Sequence, residues 1–199
     1  MGKVDLSLTD NRGYDPGRPF WYRTVWLLVE AMTLLNPVFV PYGLKARILR
    51  LFGATIGRNV IIKPSIHVKY PWHLVVGDNV WLGERIWIDN FVPVTIGDNA
   101  CISQGAYLCT GNHDWADPGM GLVVKPITVE RGAWVGAFAR VGPGVTVGEA
   151  AIVTLGSVLL KDAKQGGVYR GNPAERTRER TIRDRPGPGG GGDVAPAPE

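Results

Sequence analysis

An aliphatic residue recurs at every sixth position through most of the chain, and this period constrains the fold more than any other feature. A period of six matches neither an α-helix nor a simple alternating strand. It matches a short strand and a tight turn repeated many times, so we predict an all-β chain that forms a parallel β-helix. All fifteen positions of the repeat are Ile, Leu or Val: Ile56, Ile62, Val68, Val76, Leu82, Ile88, Ile96, Ile102, Leu108, Val129, Val135, Val141, Val147, Val153 and Leu159.

Glycine and coil length add detail to this prediction. A glycine often follows the aliphatic residue, as at Gly57, Gly77 and Gly136. At a coil corner, glycine either relieves crowding or supplies a positive φ. Three units are expected to close one triangular coil of about eighteen residues. The blocks TIGRNV, VVGDNV and TIGDNA instead start twenty residues apart, so the first two coils are predicted to carry two extra residues each.

One coil is much longer than the others. Leu108 and Val129 are twenty-one residues apart, and the segment 112–126, NHDWADPGMGLVVKP, is rich in turn formers. It is predicted to be a loop ejected from the coil, and such loops usually serve function. His113 stands at its start. A lone histidine is more often structural, but this position favours a general base.

The rest of the chain is predicted to serve the β-helix at 55–163. Residues 1–54 are expected to form a polar lead and a helical cap, because the open end of a solenoid needs covering. Residues 164–185 are predicted to form a loop and a short C-terminal helix. Residues 186–199, rich in Gly and Pro, are expected to be a disordered tail.

The apolar segment 20–40 has two interpretations. Charged residues and a proline interrupt it, which argues against a membrane span. It is either the helical cap or an interfacial helix that lies on a membrane, as its aromatic residues would allow. We favour the cap and keep peripheral membrane contact as the second hypothesis.

Charge and cysteine content narrow the function classes. The formal net charge is +4, and many of the arginines lie between Arg170 and Arg185, so a nucleic-acid groove is not expected. Cys101 and Cys109 fit no disulfide framework or metal pattern, which indicates reduced thiols. Residues 1–18 lack the order of an export signal. We therefore expect a cytoplasmic protein, with the inner membrane surface as a further location.

Three stretches carry a resemblance to a known family: PVTIGDNACISQGAYLCTGNHDW, ITVERGAWVGAFARVGPGVTVGE and GNPAE. The chain resembles the hexapeptide-repeat O-acetyltransferases over roughly residues 20–180, and most of all the colanic acid biosynthesis acetyltransferase-like proteins. Maltose and nodulation-factor acetyltransferases are related. The resemblance implies a left-handed β-helix and a homotrimer with active sites between subunits. It also implies acetyl-CoA as acyl donor and a sugar hydroxyl as acceptor, in exopolysaccharide or lipid-linked saccharide synthesis.

The resemblance also implies roles for residues around the ejected loop. The family's catalytic histidine falls on His113, and Asp114 or a partner subunit would orient its ring. Related sugar acetyltransferases place an Asn one coil before that histidine, but no Asn of this chain aligns cleanly there. The candidates for the helper are Glu84, Asp89 and Asn90. The candidate acceptor-binding residues are Asn90, Asn112 and Trp115.

In the family, CoA lies along the groove between neighbouring helices, where cations suit its phosphates. Leu160 departs from relatives, which often have Thr there. By resemblance the candidate CoA-binding residues are Trp134, Gly136, Ala139, Gly142, Gly156, Ser157, Leu160, Lys161, Arg170, Gly171, Asn172, Pro173 and Arg176.

The sequence fits two other function classes less well. A carbonic-anhydrase-like zinc enzyme needs several histidine ligands in a defined geometry. The chain has only His67, His73 and His113, and the first two lie early in the repeat, so no metal is expected. A non-catalytic trimeric scaffold has no need of His113 beside an ejected loop or of GNPA after the last coil.

Overall fold

The structure, a computed structural model, describes residues 3–36 and 40–183. The predicted disordered tail at 186–199 lies outside these residues, as does the part of the apolar segment at 37–39. Two helices, α1 (Phe20–Thr33) and α2 (Tyr42–Leu51), precede the strands. Short 3₁₀ turns occur at Leu6–Leu8 and Pro71–His73.

The strands follow one another in coils. The first three coils contain β1 (Thr55–Ile56), β2 (Ile61–Ile62), β3 (His67–Val68), β4 (Leu74–Val76), β5 (Trp81–Leu82), β6 (Trp87–Asp89), β7 (Val94–Ile96), β8 (Cys101–Ile102) and β9 (Tyr107–Cys109). A hairpin follows, formed by β10 (Gly111–His113) and β11 (Leu122–Val124). The last two coils contain β12 (Ile127–Val129), β13 (Trp134–Val135), β14 (Arg140–Val141), β15 (Thr146–Val147), β16 (Ile152–Val153) and β17 (Val158–Leu159). The chain then continues into β18 (Gly167–Gly171) and β19 (Ala174–Glu179).

Three parallel sheets form the faces of the β-helix. The first face is β1-β4-β7-β12-β15, the second face is β2-β5-β8-β13-β16 extended by β18 and β19, and the third face is β3-β6-β9-β14-β17. The second corner joins the second face to the third, and the third corner joins the third face to the first face of the next coil. The parallel β-helix predicted from the six-residue period is therefore confirmed.

The aliphatic repeat builds the core. Equivalent residues of successive coils stand in register, as Ile56, Val76 and Ile96 do on the first face. All fifteen predicted positions are buried, with exposed fractions of 6% or less. Each coil thus packs its aliphatic side chains on those above and below, which removes apolar surface from water along the whole axis.

The glycines of the repeat serve close packing between coils. A Cβ at Gly136 would lie 2.7 Å from the carbonyl oxygen of Val153 in the next coil. Positive φ falls elsewhere in the turn, for example at Asn79 with φ 58. Of the two roles predicted for these glycines, the structure supports relief of crowding.

The N-terminal helices cap the open edge of the first coil, as predicted. A sheet edge leaves backbone groups without partners, and side chains of the helices bind them. Trp26 Nε1 donates to the Val68 carbonyl at 2.8 Å, while the buried Glu30 carboxylate accepts from the Val68 amide at 2.5 Å. Lys45 Nζ, fully buried, donates to the carbonyls of Ile62 and Lys63 at 3.3 and 3.1 Å.

The predicted short C-terminal helix is wrong. Residues Ala174–Glu179 form β19, which pairs antiparallel with β18, and β18 pairs parallel with β16 on the second face. The strand edge of the last coil offers backbone hydrogen bonds that a separate helix would leave unused. Most side chains of β19 are exposed, so its charged residues stay in water while its backbone extends the sheet.

No helix within the described residues is long and apolar enough to cross a membrane.

Candidate active site

The ejected loop is a β-hairpin at the third corner. β10 and β11 pair antiparallel, with His113 opposite Leu122. The extra residues of the second coil support it from below, because a Cβ on Gly111 would lie 2.9 Å from the ring of Phe91. His113 is exposed near the end of β10, so its ring projects from a supported strand and not from a free loop.

A backbone carbonyl orients the His113 ring. Its Nδ1 lies 2.7 Å from the carbonyl oxygen of Met120. A carbonyl oxygen only accepts hydrogen bonds, so Nδ1 carries the hydrogen in this contact. In the neutral imidazole the lone pair is then on Nε2, which is the form that a general base requires.

Asp117 builds the turn that presents this carbonyl. Its carboxylate accepts hydrogen bonds from the amides of Gly119 and Gly121 at 3.2 and 2.9 Å, on either side of Met120. The Met120 amide in turn donates to the Asp117 carbonyl at 2.9 Å. Met120 has φ 50, a left-handed conformation that is uncommon for a residue with a side chain. These bonds offset the backbone strain and fix the direction of the carbonyl.

Asp114 does not take the orienting role expected for it. Its carboxylate accepts from the Ala116 amide at 3.0 Å, while the Met120 carbonyl holds the ring nitrogen of His113. The Asn112 side chain accepts from the His113 amide at 2.8 Å. Trp115 is 90% exposed beside these residues, in a position to meet a ligand.

The polar N-terminal lead lies on the hairpin, which the sequence did not reveal. The Asp5 amide donates to the Pro118 carbonyl at 2.9 Å, and the Thr9 hydroxyl donates to the Gly119 carbonyl at 2.6 Å. The Asn11 side chain accepts from the amide of Leu122, the residue opposite His113, at 3.0 Å. We call residues 5–11 the N-terminal strap.

Tyr14 anchors the strap to the coil. Its hydroxyl donates to the Phe91 carbonyl at 2.8 Å, and the two rings meet edge to face with centroids 5.7 Å apart. Burial raises the pKa of the Tyr14 hydroxyl, which therefore stays protonated as a donor. The strap, Phe91 and the hairpin thus form one packed unit around His113.

The three helper candidates do not gather around the imidazole. Glu84 is exposed at the second corner. Asp89 is buried at the third corner, where its two oxygens bind Lys69 Nζ at 2.9 Å and the Tyr107 hydroxyl at 3.0 Å. Asn90 is fully buried and exchanges two hydrogen bonds with the Tyr70 backbone.

These contacts give Asp89 and Asn90 structural roles in the coil below the hairpin. The expected acceptor contact at Asn90 is wrong for a geometric reason, because its amide is used within the chain and has no exposed surface. Among the hydrogen bonds of residues 3–36 and 40–183, none joins Glu84, Asp89 or Asn90 to the His113 ring.

The candidate CoA-binding residues lie in three places, which are the second face, the second corner and the third corner. Trp134 is on the second face, where its Nε1 donates to Ser103 Oγ at 2.8 Å. The second corner holds Gly136, Ala139, Gly156 and Ser157, with the 171–174 turn above them. The third corner of the last two coils, on the side of the His113 hairpin opposite to Phe91, holds Gly142, Leu160 and Lys161. Arg170 and Arg176 lie on β18 and β19, where Arg176 forms an ion pair with Glu179.

The second corner is tied together by Ser157. Its hydroxyl is buried and accepts from the Gly171 amide at 3.1 Å, which fastens the GNPA turn to the last coil. Phe138, which sequence analysis missed, projects from this corner with φ 57 and is 60% exposed. An aromatic ring held in a strained turn and left exposed is a candidate contact for a ligand in this groove.

A cleft of about 620 Å³ opens on the second face. It is lined by Trp81, Trp134 and Cys101, together with Glu84, one of the three candidate helpers of His113. Burial raises the pKa of the Cys101 thiol, so this thiol stays protonated. The walls are mainly apolar and aromatic, and Lys63 and Glu84 are the charged residues among them.

Metal-binding geometry is absent from the residues that the structure covers. No group of three or more His, Cys, Asp or Glu side chains among them could hold a metal ion. Cys101 and Cys109 are free thiols.

Comparisons with known proteins identify the family of the chain. Residues 73–109 match the family model described as the hexapeptide repeat of succinyl-transferase. The chain is 40% identical over 156 residues to WcaF of Escherichia coli (strain K12), which is assigned to colanic acid biosynthesis as an acetyltransferase. The match covers 78% of this chain and 86% of that relative.

Solved structures share the fold. The hexapeptide-repeat acetyltransferase VCA0836 of Vibrio cholerae superposes with a TM-score of 0.74 at 20% identity, over 81% of this chain and 92% of that one. A galactoside acetyltransferase in complex with coenzyme A superposes with a TM-score of 0.68 at 25% identity, over 80% of each chain. By its repeat, its fold and its similarity to WcaF, the chain belongs to the hexapeptide-repeat acetyltransferases and is an acyltransferase.

Proposed function

We propose that this acyltransferase moves the acetyl group of acetyl-CoA to a sugar hydroxyl, with His113 as the general base. The observation that carries the proposal is the 2.7 Å contact between His113 Nδ1 and the Met120 carbonyl, which leaves Nε2 as the acceptor of a proton. The ring is exposed at the one hairpin that leaves the described coils, so a substrate can reach it.

The chemistry needs few groups. A sugar hydroxyl is a weak nucleophile at neutral pH, and its oxygen attacks the thioester carbonyl as Nε2 removes its proton. This assistance contributes roughly 10²–10⁴-fold to the rate. The tetrahedral intermediate collapses when the carbon–sulfur bond breaks, and the imidazolium returns the proton to the departing thiolate. No covalent enzyme intermediate forms.

A homotrimer completes the proposed site. Within one chain, His113 stands at the third corner, while Trp134 lies on the second face and Gly136, Ser157 and the 171–174 turn lie at the second corner. A neighbouring copy can bring its second corner to the His113 hairpin, so that the acetyl thioester of CoA held by one subunit meets the imidazole of the next. Trimers with this closed symmetry repeat the same contact three times.

The residues proposed to hold CoA are those that the family resemblance indicates. Backbone groups of the second corner would run beside the pantetheine arm, and the exposed Arg170 and Lys161 offer positive charge to the phosphates. Support comes from the galactoside acetyltransferase that shares the fold and was solved with coenzyme A. Phe138 is added to the proposed CoA contacts because of its exposure at that corner.

The acceptor is proposed to be a saccharide of an exopolysaccharide or of a lipid-linked precursor. The similarity to WcaF supports this class. Asn112 and Trp115 flank His113 and are proposed to contact the sugar, since an exposed Trp ring can stack on a sugar face. We propose that the reaction takes place in the cytoplasm.

Two measurements on the purified chain test the proposal. Calorimetric titration with CoA is expected to show binding, and thiol release from acetyl-CoA is expected to rise when a sugar of the accepted class is added. A chain that binds no CoA, or that binds CoA but transfers acetyl to none of a broad panel of mono- and oligosaccharides, contradicts it. The second outcome would favour a non-catalytic scaffold or an acceptor of another class.

A further inference from the structure

The outward face of α1 is apolar, although it faces solvent. Seven of its eight exposed residues are apolar and one is Thr24. The inward side of the helix carries the polar groups instead, with Glu30 buried and Arg23 half-buried. The exposed residues are Phe20, Trp21, Thr24, Val25, Leu27, Leu28, Ala31 and Met32.

These residues form one continuous surface. At about 100° per residue they occupy a single arc of roughly 160° on the helix, uninterrupted by any charged side chain. The fourteen residues of α1 extend over about 21 Å. Phe20, Trp21 and Met32 are 75%, 65% and 65% exposed. An exposed apolar surface of this continuity marks an interaction site in a water-soluble fold.

The exposed charges of the N-terminal helical segment are positive. Between residues 16 and 52 the sequence contains one carboxylate, Glu30, which is buried and bound to the Val68 amide. The same stretch contains Arg18, two residues before α1, and Arg47 and Arg50 on α2, and all three are exposed. An apolar helical face with aromatic residues in a segment whose exposed charges are positive is the pattern of a helix that lies in the interface of an anionic bilayer.

A cleft beside α1 adds a second observation. It has a volume of about 330 Å³ and lies between the helix and the third face, lined by Phe20, Arg23, Leu27 and Lys69 among others. The Nε atom of Arg23 is buried there without a hydrogen-bond partner. The guanidinium lies over the Phe20 ring, 5.7 Å from its centroid, at the edge of the apolar arc. A guanidinium in this position suits the phosphate of a lipid headgroup.

A two-fold contact between copies of the chain fits this surface less well. It would place the same patch against itself, and the positive charges of the two copies would oppose each other. An anionic bilayer complements both the apolar arc and the exposed arginines of this segment. Since the described helices are too short to span a membrane, the fitting arrangement is one in which α1 lies along the surface.

We propose that the outward face of α1 binds the surface of an anionic membrane, with Arg23 contacting lipid phosphate. This inference concerns a surface distinct from the proposed acetyl-transfer site and does not require that the site act on sugars. Its consequence for function is that the enzyme would be held where a lipid-linked acceptor resides.

Vesicle flotation of the full chain tests the proposal. The probes are vesicles of phosphatidylcholine alone and vesicles that contain one third phosphatidylglycerol. The wild-type chain is expected to float with the anionic vesicles and to bind the neutral ones more weakly. A double variant, Trp21→Glu with Leu28→Glu, is expected to lower the partition coefficient by about tenfold or more, because charge on the apolar face opposes insertion.

Further variants separate the contribution of the apolar face from that of Arg23. Ile182→Glu, compared with Leu28→Glu alone, places the same single charge on an exposed apolar residue of the C-terminal segment and is expected to bind vesicles like wild type. Arg23→Gln is expected to reduce the preference for anionic over neutral vesicles by about fivefold, since each basic residue near such a surface contributes about 1 kcal/mol.

Three outcomes would overturn the proposal. The first is a wild-type chain that floats with neither kind of vesicle, and the second is a double variant that binds vesicles like wild type. The third is a wild-type chain that binds no vesicles while the double variant has a lower mass in solution than wild type. The last would make the surface a contact between copies. Thiol release from acetyl-CoA with a soluble sugar is measured on the same samples, so that loss of acetyl transfer is recognised separately.

Discussion

Nδ1 of His113 and the carbonyl oxygen of Met120 lie 2.7 Å apart, and this contact determines which nitrogen of the ring can accept a proton. The carbonyl belongs to a left-handed residue in a turn that Asp117 and the N-terminal strap hold from two sides. The site is therefore supported by backbone geometry, and residues that never touch a substrate should affect the rate.

Asp117→Ala should lower kcat by between about 10- and 100-fold, because a displaced Met120 carbonyl lets the imidazole rotate away from its productive position. The KM for acetyl-CoA should change little, which distinguishes this effect from general unfolding. Asp117→Asn retains one acceptor oxygen and should restore part of the rate. Asp114→Ala, which removes a contact to Ala116 only, should have a smaller effect. Equal losses in the Asp114 and Asp117 variants would argue against the orienting turn.

The N-terminal strap should also support catalysis. Asn11→Ala removes the acceptor for the Leu122 amide opposite His113, a bond worth about 1 kcal/mol, so a three- to tenfold lower kcat is expected. Hydrogen exchange at the Leu122 amide should become faster in this variant. Arg12→Ala is the control, because Arg12 is 91% exposed and pairs only with the neighbouring Asp10. If amide exchange at Leu122 is unchanged in Asn11→Ala, the strap does not hold the hairpin.

Gly136→Ala tests the close packing of coils. The added Cβ would meet the Val153 carbonyl oxygen at 2.7 Å and the Leu155 amide nitrogen at 2.8 Å, so the free energy of unfolding should fall by about 1–3 kcal/mol. Gly43→Ala, in α2, meets nothing within 4 Å and should instead raise it by about 0.5–1 kcal/mol. Urea unfolding of both variants measures the contrast, and a neutral Gly136→Ala would show that neighbouring coils can separate without cost.

Lys45→Met should destabilise the cap by about 1–3 kcal/mol at neutral pH, because the carbonyls of Ile62 and Lys63 lose their donor. Desolvation lowers the pKa of Lys45 below its ordinary 10.5. Between the lowered pKa and 10.5 the unfolded chain binds more protons than the folded one, so the contribution of Lys45 to stability increases as pH rises through that window. The stability difference between wild type and Lys45→Met should therefore grow with pH. A difference that shrinks with rising pH would contradict a lowered pKa.

The six-residue period was sufficient to predict the coils and their core, because each repeat position has one requirement, an aliphatic side chain that points inward. Burial of Ile62, Val135 and Leu159 follows from that requirement alone. The position of the hairpin could also be predicted from the sequence. The interval between Leu108 and Val129 is longer than the repeat allows, so the additional residues must lie outside the β-helix.

The site itself was less accessible from sequence, because its contacts use backbone atoms and distant segments. The Met120 carbonyl has no side-chain signature, although the Asp117-Pro118-Gly119 turn marks the segment that presents it. Asn11 lies more than a hundred residues from Leu122, and nothing local predicts their hydrogen bond. The charged composition of residues 174–179 favoured a helix, but these residues instead pair with the edge of β18 and form a strand.

The His113→Ala variant tests the central claim most directly. Acetyl-CoA-dependent thiol release in the presence of an accepted sugar should fall by two or more powers of ten, while calorimetric affinity for CoA stays close to that of wild type. Turnover of His113→Ala at the wild-type rate would contradict the assignment of this imidazole as the general base.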